Sequence, residues 1–576
     1  MSKSSELKIK NKYTGEVIDT IQADTPESVR DKIKKIYESQ HLLNEMDFFE
    51  RAQHLSKYAS KMRFKKKKLK DLVVAEGGLP IKYSEWELNI VLTGFRFCDW
   101  YYQFIKDKPL TGIEGEQNVI LKYIPHGLSA CISPRNTPIS LPLYQMGANY
   151  LVGNGALVKP STACPLTMLE AYSTMEDMDL PGLDALNLVI APGEWAVDEF
   201  LKSHLIKIIM TVTSSHTAKD ILVRYGRLLK KTADKSMGVA MYTEPFKQFF
   251  FECAGNDAGI VMDDVNLEKV AKFNAIASYT NSGQQCFSMK RIIVHQDIYD
   301  DYVECLIKEI EKLRYGDPTD PTVDIGPLGS RRILMMMEVM MADAKEYGVK
   351  IYTGGDKIDT GEDYGLFYKP TLVEIKPELC EDLSKAPFLW REEAFGPVRS
   401  ITKAKDMKDA IKLANASNYG MRAVVYTSNL NNIEIFKRDL EAANIYIYEE
   451  LKAYFSKNSD LMRHLSINAC WEYIITEEST HEEHAKLHYY LYKKDVKTLE
   501  MMEENPGFKP DLILYFTEKA ILELIQDNPS ADEYYALYHD MMNNPRSGIE
   551  VDNKLNKSSL RLLKLGYRAY QRDFKF

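Results

Sequence analysis

The spacing of apolar and polar positions divides this chain into stretches of different period. Over residues 26–107 the apolar positions recur at helical spacing, with one break at Gly77-Gly78-Leu79-Pro80, which predicts a mostly helical segment. Residues 108–127 switch to a strand-like pattern. Pro109 and Gly112 lead into Val119-Ile120-Leu121-Lys122-Tyr123-Ile124, and Pro125-His126-Gly127 turns the chain, so a hairpin is expected. From Leu128 to about Tyr448 strand-like runs alternate with helix-like ones. Leu157-Val158-Lys159, Leu186 to Ile190, Ile206 to Thr211, Phe249-Phe250-Phe251 and Ala423 to Tyr426 are the strands, and Cys164–Met175 and Ile298–Leu313 are two of the helices. Such alternation predicts α/β architecture with largely parallel sheets. After about residue 450 the chain is rich in Tyr, Met, Glu, Asp and Asn, with breakers at Asn505-Pro506-Gly507 and Asn544-Pro545. Its spacing predicts a separate, mainly helical module over 450–576.

At 576 residues the chain exceeds one compact core, and about two to four domains are expected. A formal charge of −9 argues against a general nucleic-acid binder. The run Lys65-Lys66-Lys67-Lys68 with Lys70 reads as the solvated face of a helix. Met1 to Lys10 is polar and has no apolar h-region, and no run approaches the roughly 20 apolar residues of a membrane span. The eight cysteines lack zinc-ligand spacing, so no metal site is expected and free thiols in a reducing cytoplasm are. His481, His484 and His488 would share one face if 476–495 were helical, and they read as a solvated polar face.

Candidate chemistry centres on Cys286, which ends the polar run Asn281-Ser282-Gly283-Gln284-Gln285, and on Glu252, which follows an aromatic strand. A thiol and a carboxylate in these settings suit a nucleophile and a general base, although an isolated cysteine is more often an inert core residue. Further segments change that balance. Pro134-Arg135-Asn136-Thr137-Pro138, Gly153 to Ser161, Glu252 to Asn256, Asn281 to Cys286, Gly316-Asp317-Pro318, Gly326-Pro327-Leu328, Glu392 to Val398 and Ala414 to Gly420 occur in that order. Together they resemble the aldehyde dehydrogenase superfamily over about residues 5–449.

The resemblance implies a Rossmann-like cofactor domain (1–107 and 128–252), a bridging and oligomerisation hairpin (108–127), an α/β catalytic domain (253–449) and a homo-oligomer. It assigns the nucleophile to Cys286, the oxyanion-binding amide to Asn136 and the water-activating base to Glu252. Lys159, Ser161, Thr162, Thr213, Glu393 and Phe395 match cofactor-binding positions. Thr162 stands where a glutamate often selects NAD; a neutral hydroxyl beside Lys159 accepts a 2′-phosphate, so of NADP and NAD the reading favours NADP.

Three departures keep other readings open. Val212, or Ser214 in a register shifted by two, stands at the phosphate-turn glycine, and Gln145 replaces a relay lysine. The family's terminal segment is not recognisable after Tyr448. The leading expectation is NAD(P)-dependent oxidation of an aldehyde to a carboxylic acid. The alternatives are an acyl-thioester reductase or acyl transferase using Cys286, and a cofactor-impaired scaffold that binds a protein partner through 450–576.

Overall fold

The computed structural model describes residues 6–110, 119–235, 246–358, 364–427, 430–448, 450–476, 479–480, 487–502, 505–525, 529–546 and 549–574. By internal contacts the chain forms two units. One comprises residues 1–261, 266–423 and 440–445; the other comprises residues 262–265, 424–439 and 446–576.

The first unit is built on two sheets. In the first, β1 (Leu128–Ile132), β2 (Ala156–Lys159), β3 (Leu186–Leu188), β4 (Ile206–Val212) and β5 (Gln248–Glu252) run parallel in the order β3-β2-β1-β4-β5. The order reverses between β1 and β4, which opens a crevice beyond their carboxyl ends. β1 and β2 are apolar on both faces because helices cover both sides, as parallel strands require. In the second sheet, β6 (Asp257–Val261), β7 (Met289–His295), β8 (Lys350–Thr353), β9 (Thr371–Glu374) and β10 (Val398–Ala404) include the run β8-β9-β10-β7-β6, parallel except for the β8–β9 pair.

The helical stretch before β1 contains Pro26–Ser39, Phe48–Met62, Lys66–Leu72 and Ile81–Arg96, interrupted where Gly78 adopts φ 76°. The lysine run is solvated and ion-paired: Lys66 and Lys70 reach Glu85, and Lys65 and Lys68 reach Glu170. Lys108–Leu110 and Val119–Leu121 pair antiparallel, as the hairpin pattern predicts; residues 111–118 lie outside the described residues.

Two buried carboxylates hold the helices that flank the site. Glu87 Oε1 accepts from the backbone N–H of Ile139 and of Ser140 and from Ser140 Oγ, at the start of the helix Ser140–Leu151. Its Oε2 is buried without a partner, and burial pushes the carboxyl up from 4.5 to about 7, against the pull of those hydrogen bonds. Glu76 receives the N–H groups of Leu166 and Thr167 and is likewise pushed up to about 7 by burial. An acid whose value is raised by folding stabilises the fold fully below its ordinary value, and that contribution is lost as pH rises through the folded value. Thermal stability is therefore expected to fall between pH 5 and 8, with Glu87 contributing about 3 kcal/mol of that change. Glu87→Gln keeps the accepting oxygen and should flatten the decline in a melting-temperature series against pH; an unchanged slope would show that Glu87 does not titrate there.

The second unit corrects the mainly helical reading. It contains a five-stranded sheet of β11 (Cys470–Thr476), β12 (Leu487–Lys493), β13 (Leu499–Met502), β14 (Leu512–Thr517) and β15 (Val551–Leu555), in the order β13-β12-β11-β14-β15. Helices including Ala531–Asn543 and Tyr567–Phe574 accompany it. Tyrosine misled the periodicity, because it fits a pleated surface as readily as a helix. In β12, Tyr489, Leu491 and Lys493 are buried while His488, Tyr490 and Tyr492 are more open, which is a period of two. Tyr473, Tyr534, Tyr538 and Tyr570 fill the core with Trp471. His488 stands on a strand, with Nε2 2.7 Å from Glu472 Oε1, so the shared helical face does not form; His481 and His484 lie outside the described residues.

Candidate active site

Three loops converge beyond the carboxyl ends of β1, β4 and β5. Ser133 to Thr137 follow β1, Thr213 and Ser214 follow β4, and Cys253 and Ala254 follow β5; all line one cavity of about 640 Å³. The lining also holds Asn136, Glu252, Cys286, Glu393 and Phe395. Of the residues singled out from sequence, Cys286, Glu252, Asn136, Thr213, Glu393 and Phe395 are thus brought together. Lys159, Ser161 and Thr162 sit outside that lining, at and just beyond the carboxyl end of β2. Lys159 is buried, which pushes its ammonium down to about 8, and its Nζ donates to Pro160 O at 3.2 Å. Ser161 Oγ accepts from Ala163 N, and Thr162 is half-buried.

The loop before Cys286 is strained. Asn281, Ser282 and Gly283 take φ of 54°, 57° and 66° in succession, which costs roughly 1–2 kcal/mol for each of the two non-glycine residues. A Cβ at Gly283 would overlap the Arg399 guanidinium and Gly396 O, so glycine is required there. The surroundings over-determine the turn: Ser282 Oγ donates to Gly326 O at 2.5 Å and Gln284 N to Asn281 O at 3.0 Å.

Arg399, fully buried on β10, joins the two loops of the site. Its guanidinium donates to Ser278 O (2.9 Å), Gly396 O (2.7 Å), Val398 O (2.7 Å), Gly283 O (3.3 Å) and Ser288 Oγ (3.1 Å). The loop carrying Glu393 and Phe395 is thereby tied to the loop carrying Cys286.

Lys290 does the same from β7. Its side chain is wholly buried; Nζ donates to Gln285 O (2.7 Å) and Cys286 O (2.8 Å) and lies 3.2 Å from Glu393 Oε1. Neither cation was singled out from sequence. The available signal was a Lys-Arg pair opening an otherwise apolar strand, Met289-Lys290-Arg291-Ile292-Ile293. Gln145, in place of the relay lysine, accepts from Ser133 Oγ at 2.6 Å and braces the end of β1.

Burial pushes the Cys286 thiol up to about 11; the charge of Glu252 raises it further and that of Lys290 lowers it. Burial likewise pushes the Glu252 carboxyl up from its ordinary range. The thiolate is therefore the minor form near neutrality. Alkylation of the free enzyme by iodoacetamide is expected to accelerate tenfold per pH unit from 7 to 9. Lys290→Met, which removes the nearby cation, should slow it at every pH in that range, with Lys290→Arg restoring much of the loss. A pH-independent rate would show that burial does not govern the thiol.

At the turn after β4, Val212 pairs with Glu252 in the parallel ladder and Thr213 N donates to Glu252 O at 3.0 Å. Val212, Thr213 and Ser214 all line the cavity, and the helix Ser215–Lys235 starts next.

This arrangement of a strained thiol loop facing a crevice at the sheet's switch point matches a known family. The model of the aldehyde dehydrogenase family fits residues 1–458. The chain belongs to this family. Lactaldehyde dehydrogenase of Methanococcus vannielii is 27% identical over 77% of the chain and 88% of its own length. D-glyceraldehyde dehydrogenase (NADP(+)) of Picrophilus torridus is 27% identical over 77% of the chain and 85% of its length. Among solved structures, lactaldehyde dehydrogenase from Escherichia coli superposes with a TM-score of 0.69 at 25% identity, covering 78% of this chain and 88% of that one. The enzyme's first unit thus has the family fold. No helix among the described residues is long and apolar enough to cross a membrane.

Proposed function

We propose that the enzyme oxidises an aldehyde to a carboxylic acid with NADP or NAD, through a covalent adduct on Cys286. The reading is carried by the convergence of Cys286, Glu252 and Asn136 on one cavity with Thr213, Glu393 and Phe395. The donor set suits a nicotinamide nucleotide. The start of the 21-residue helix Ser215–Lys235 offers N–H groups to a pyrophosphate, Lys159 is a buried ammonium that donates to the carbonyl of Pro160, and Glu393 can accept from a ribose diol. When bound, the nicotinamide supplies the two-electron acceptor.

The Cys286 thiolate forms a bond from sulfur to the carbonyl carbon, and the carbonyl oxygen takes the negative charge. The Asn136 side-chain amide and the Cys286 N–H stabilise that oxygen. With the nucleotide bound, the carbon of the tetrahedral adduct would give up a hydride to it, leaving a thioester on Cys286. Glu252 then takes a proton from water, whose oxygen attacks the thioester and expels the thiolate with the free acid.

In the same proposal the chain divides into a cofactor domain (1–107, 128–252), a catalytic domain (253–449), the hairpin 108–127 that bridges a homo-oligomer, and residues 450–576 as an added module open to a protein partner. A cytoplasmic location is part of the same reading, supported by eight cysteines without paired or zinc-ligand spacing. The test is absorbance of reduced nucleotide across an aldehyde panel, with product analysis. Free acid in equal amount to reduced nucleotide supports the reading; a requirement for an added thiol acceptor would make the enzyme an acyl transferase instead.

A further inference from the structure

The wall beside Cys286 is built from side chains that the reaction itself does not use. Trp86 and Ile90 come from the helix Ile81–Arg96, Leu141 and Tyr144 from Ser140–Leu151, and Phe287 follows the nucleophile directly; all five line the cavity. Trp86 stacks on Tyr83 with centroids 5.2 Å apart and meets the Phe287 ring at 6.2 Å. On Phe287, Arg422 supplies a guanidinium 5.2 Å from the ring centre. Tyr144 is fixed with its hydroxyl turned away from use, donating to Ile90 O at 2.8 Å, and the absence of a Cβ at Gly94 makes room for its ring. What this wall offers a ligand is therefore ring face and aliphatic carbon. Trp86 is 44% exposed although it lines a cavity, so an apolar ligand would remove that surface from water.

Charge points the same way. No lysine or histidine lines the cavity among the described residues. Arg135 spends its guanidinium on Gly77 O at 3.0 Å and Gln284 Oε1 at 2.7 Å. Arg332, the second residue of the helix Arg331–Glu346, also lines the cavity and is exposed, and it comes from a different element than the five side chains of this wall. A carboxylate or phosphate on the substrate would find no cation among these five side chains, and a hydroxyl would find only the indole N–H of Trp86, so most of the hydration of either group would be lost without replacement.

We infer that the enzyme's substrates are aldehydes carrying an aromatic or bulky aliphatic group, in preference to hydroxylated or carboxylated short aldehydes. This rests on the dehydrogenase reading above. The selection is a property of this chain's own wall, independent of the small polar aldehydes named for its relatives.

The test compares kcat/KM for benzaldehyde, phenylacetaldehyde and hexanal with that for glyceraldehyde and succinate semialdehyde. The apolar aldehydes are expected to lead by at least tenfold, and Leu141→Arg, which places a cation in the wall, should shift the ratio towards succinate semialdehyde by tenfold or more. Equal or better turnover of the polar aldehydes by the unmodified enzyme overturns the inference. If no aldehyde is turned over, the dehydrogenase reading fails, yet the wall is still read by protection. Benzyl alcohol should slow iodoacetamide labelling of Cys286 at concentrations where succinate and glycerol do not, and protection by succinate or glycerol to the same degree overturns the proposal.

Discussion

Cys286→Ala is expected to abolish nucleotide reduction, by at least about 10⁴-fold in kcat, because the proposed covalent adduct forms on its sulfur. The neighbouring cavity thiol, Cys253, is not expected to substitute, because the proposed mechanism meets the oxyanion with the backbone N–H of Cys286. The side chain lost is small and half-buried, so the melting temperature should hold within a few degrees and the variant should still bind NADP or NAD by calorimetry. Turnover within about tenfold of the unmodified enzyme would remove Cys286 from the chemistry. Loss of nucleotide binding together with activity would instead place the effect on the fold of the strained Asn281–Gly283 turn.

The second large effect belongs to Glu252. Glu252→Gln should lower the steady-state rate by about 10²–10⁴-fold, the range spanned by a general base. Because the substitution spares attack by Cys286, rapid mixing should show a burst approaching one equivalent of reduced nucleotide per site before the slow phase. The pH profile carries an independent signature. Burial raises the Glu252 carboxyl, and the base acts when deprotonated, so the unmodified enzyme should lose activity as pH falls through a limb above the ordinary carboxylate range. The glutamine variant should lack that limb. A variant with full steady-state rate and an unchanged profile would show that another group activates the water.

Much of the site can be read from local segments because each encodes a local event. Asn281-Ser282-Gly283 specifies a left-handed turn, Glu252 ends a strand, and Glu393 and Phe395 sit in one short loop. Lys290 and Arg399 are not readable in this way. A lysine or arginine at the start of a strand-like run looks like a solvated end, and only the surrounding carbonyl oxygens, contributed from Ser278 to Val398, make burial of the charge tolerable. The second unit fails for a related reason. Its tyrosines carry enough apolar surface for either period, and the partner strands that settle the choice lie as far apart as residues 471 and 512.

The sequence by itself determined the family, the parallel α/β alternation of the first unit, the order of the motifs and the identity of the candidate nucleophile, base and oxyanion donor, since these reside in short contiguous stretches. Tertiary structure alone decided that Cys286, Glu252, Asn136, Thr213, Glu393 and Phe395 share one cavity, that Lys159, Ser161 and Thr162 stand outside its lining, that buried Lys290 and Arg399 lock the two site loops together, and that Trp86, Tyr144 and Phe287 form the wall a substrate would meet. Those outcomes depend on burial and on partners distant along the chain. Desolvation and packing are set by what surrounds a side chain, and no local pattern of residues carries that information.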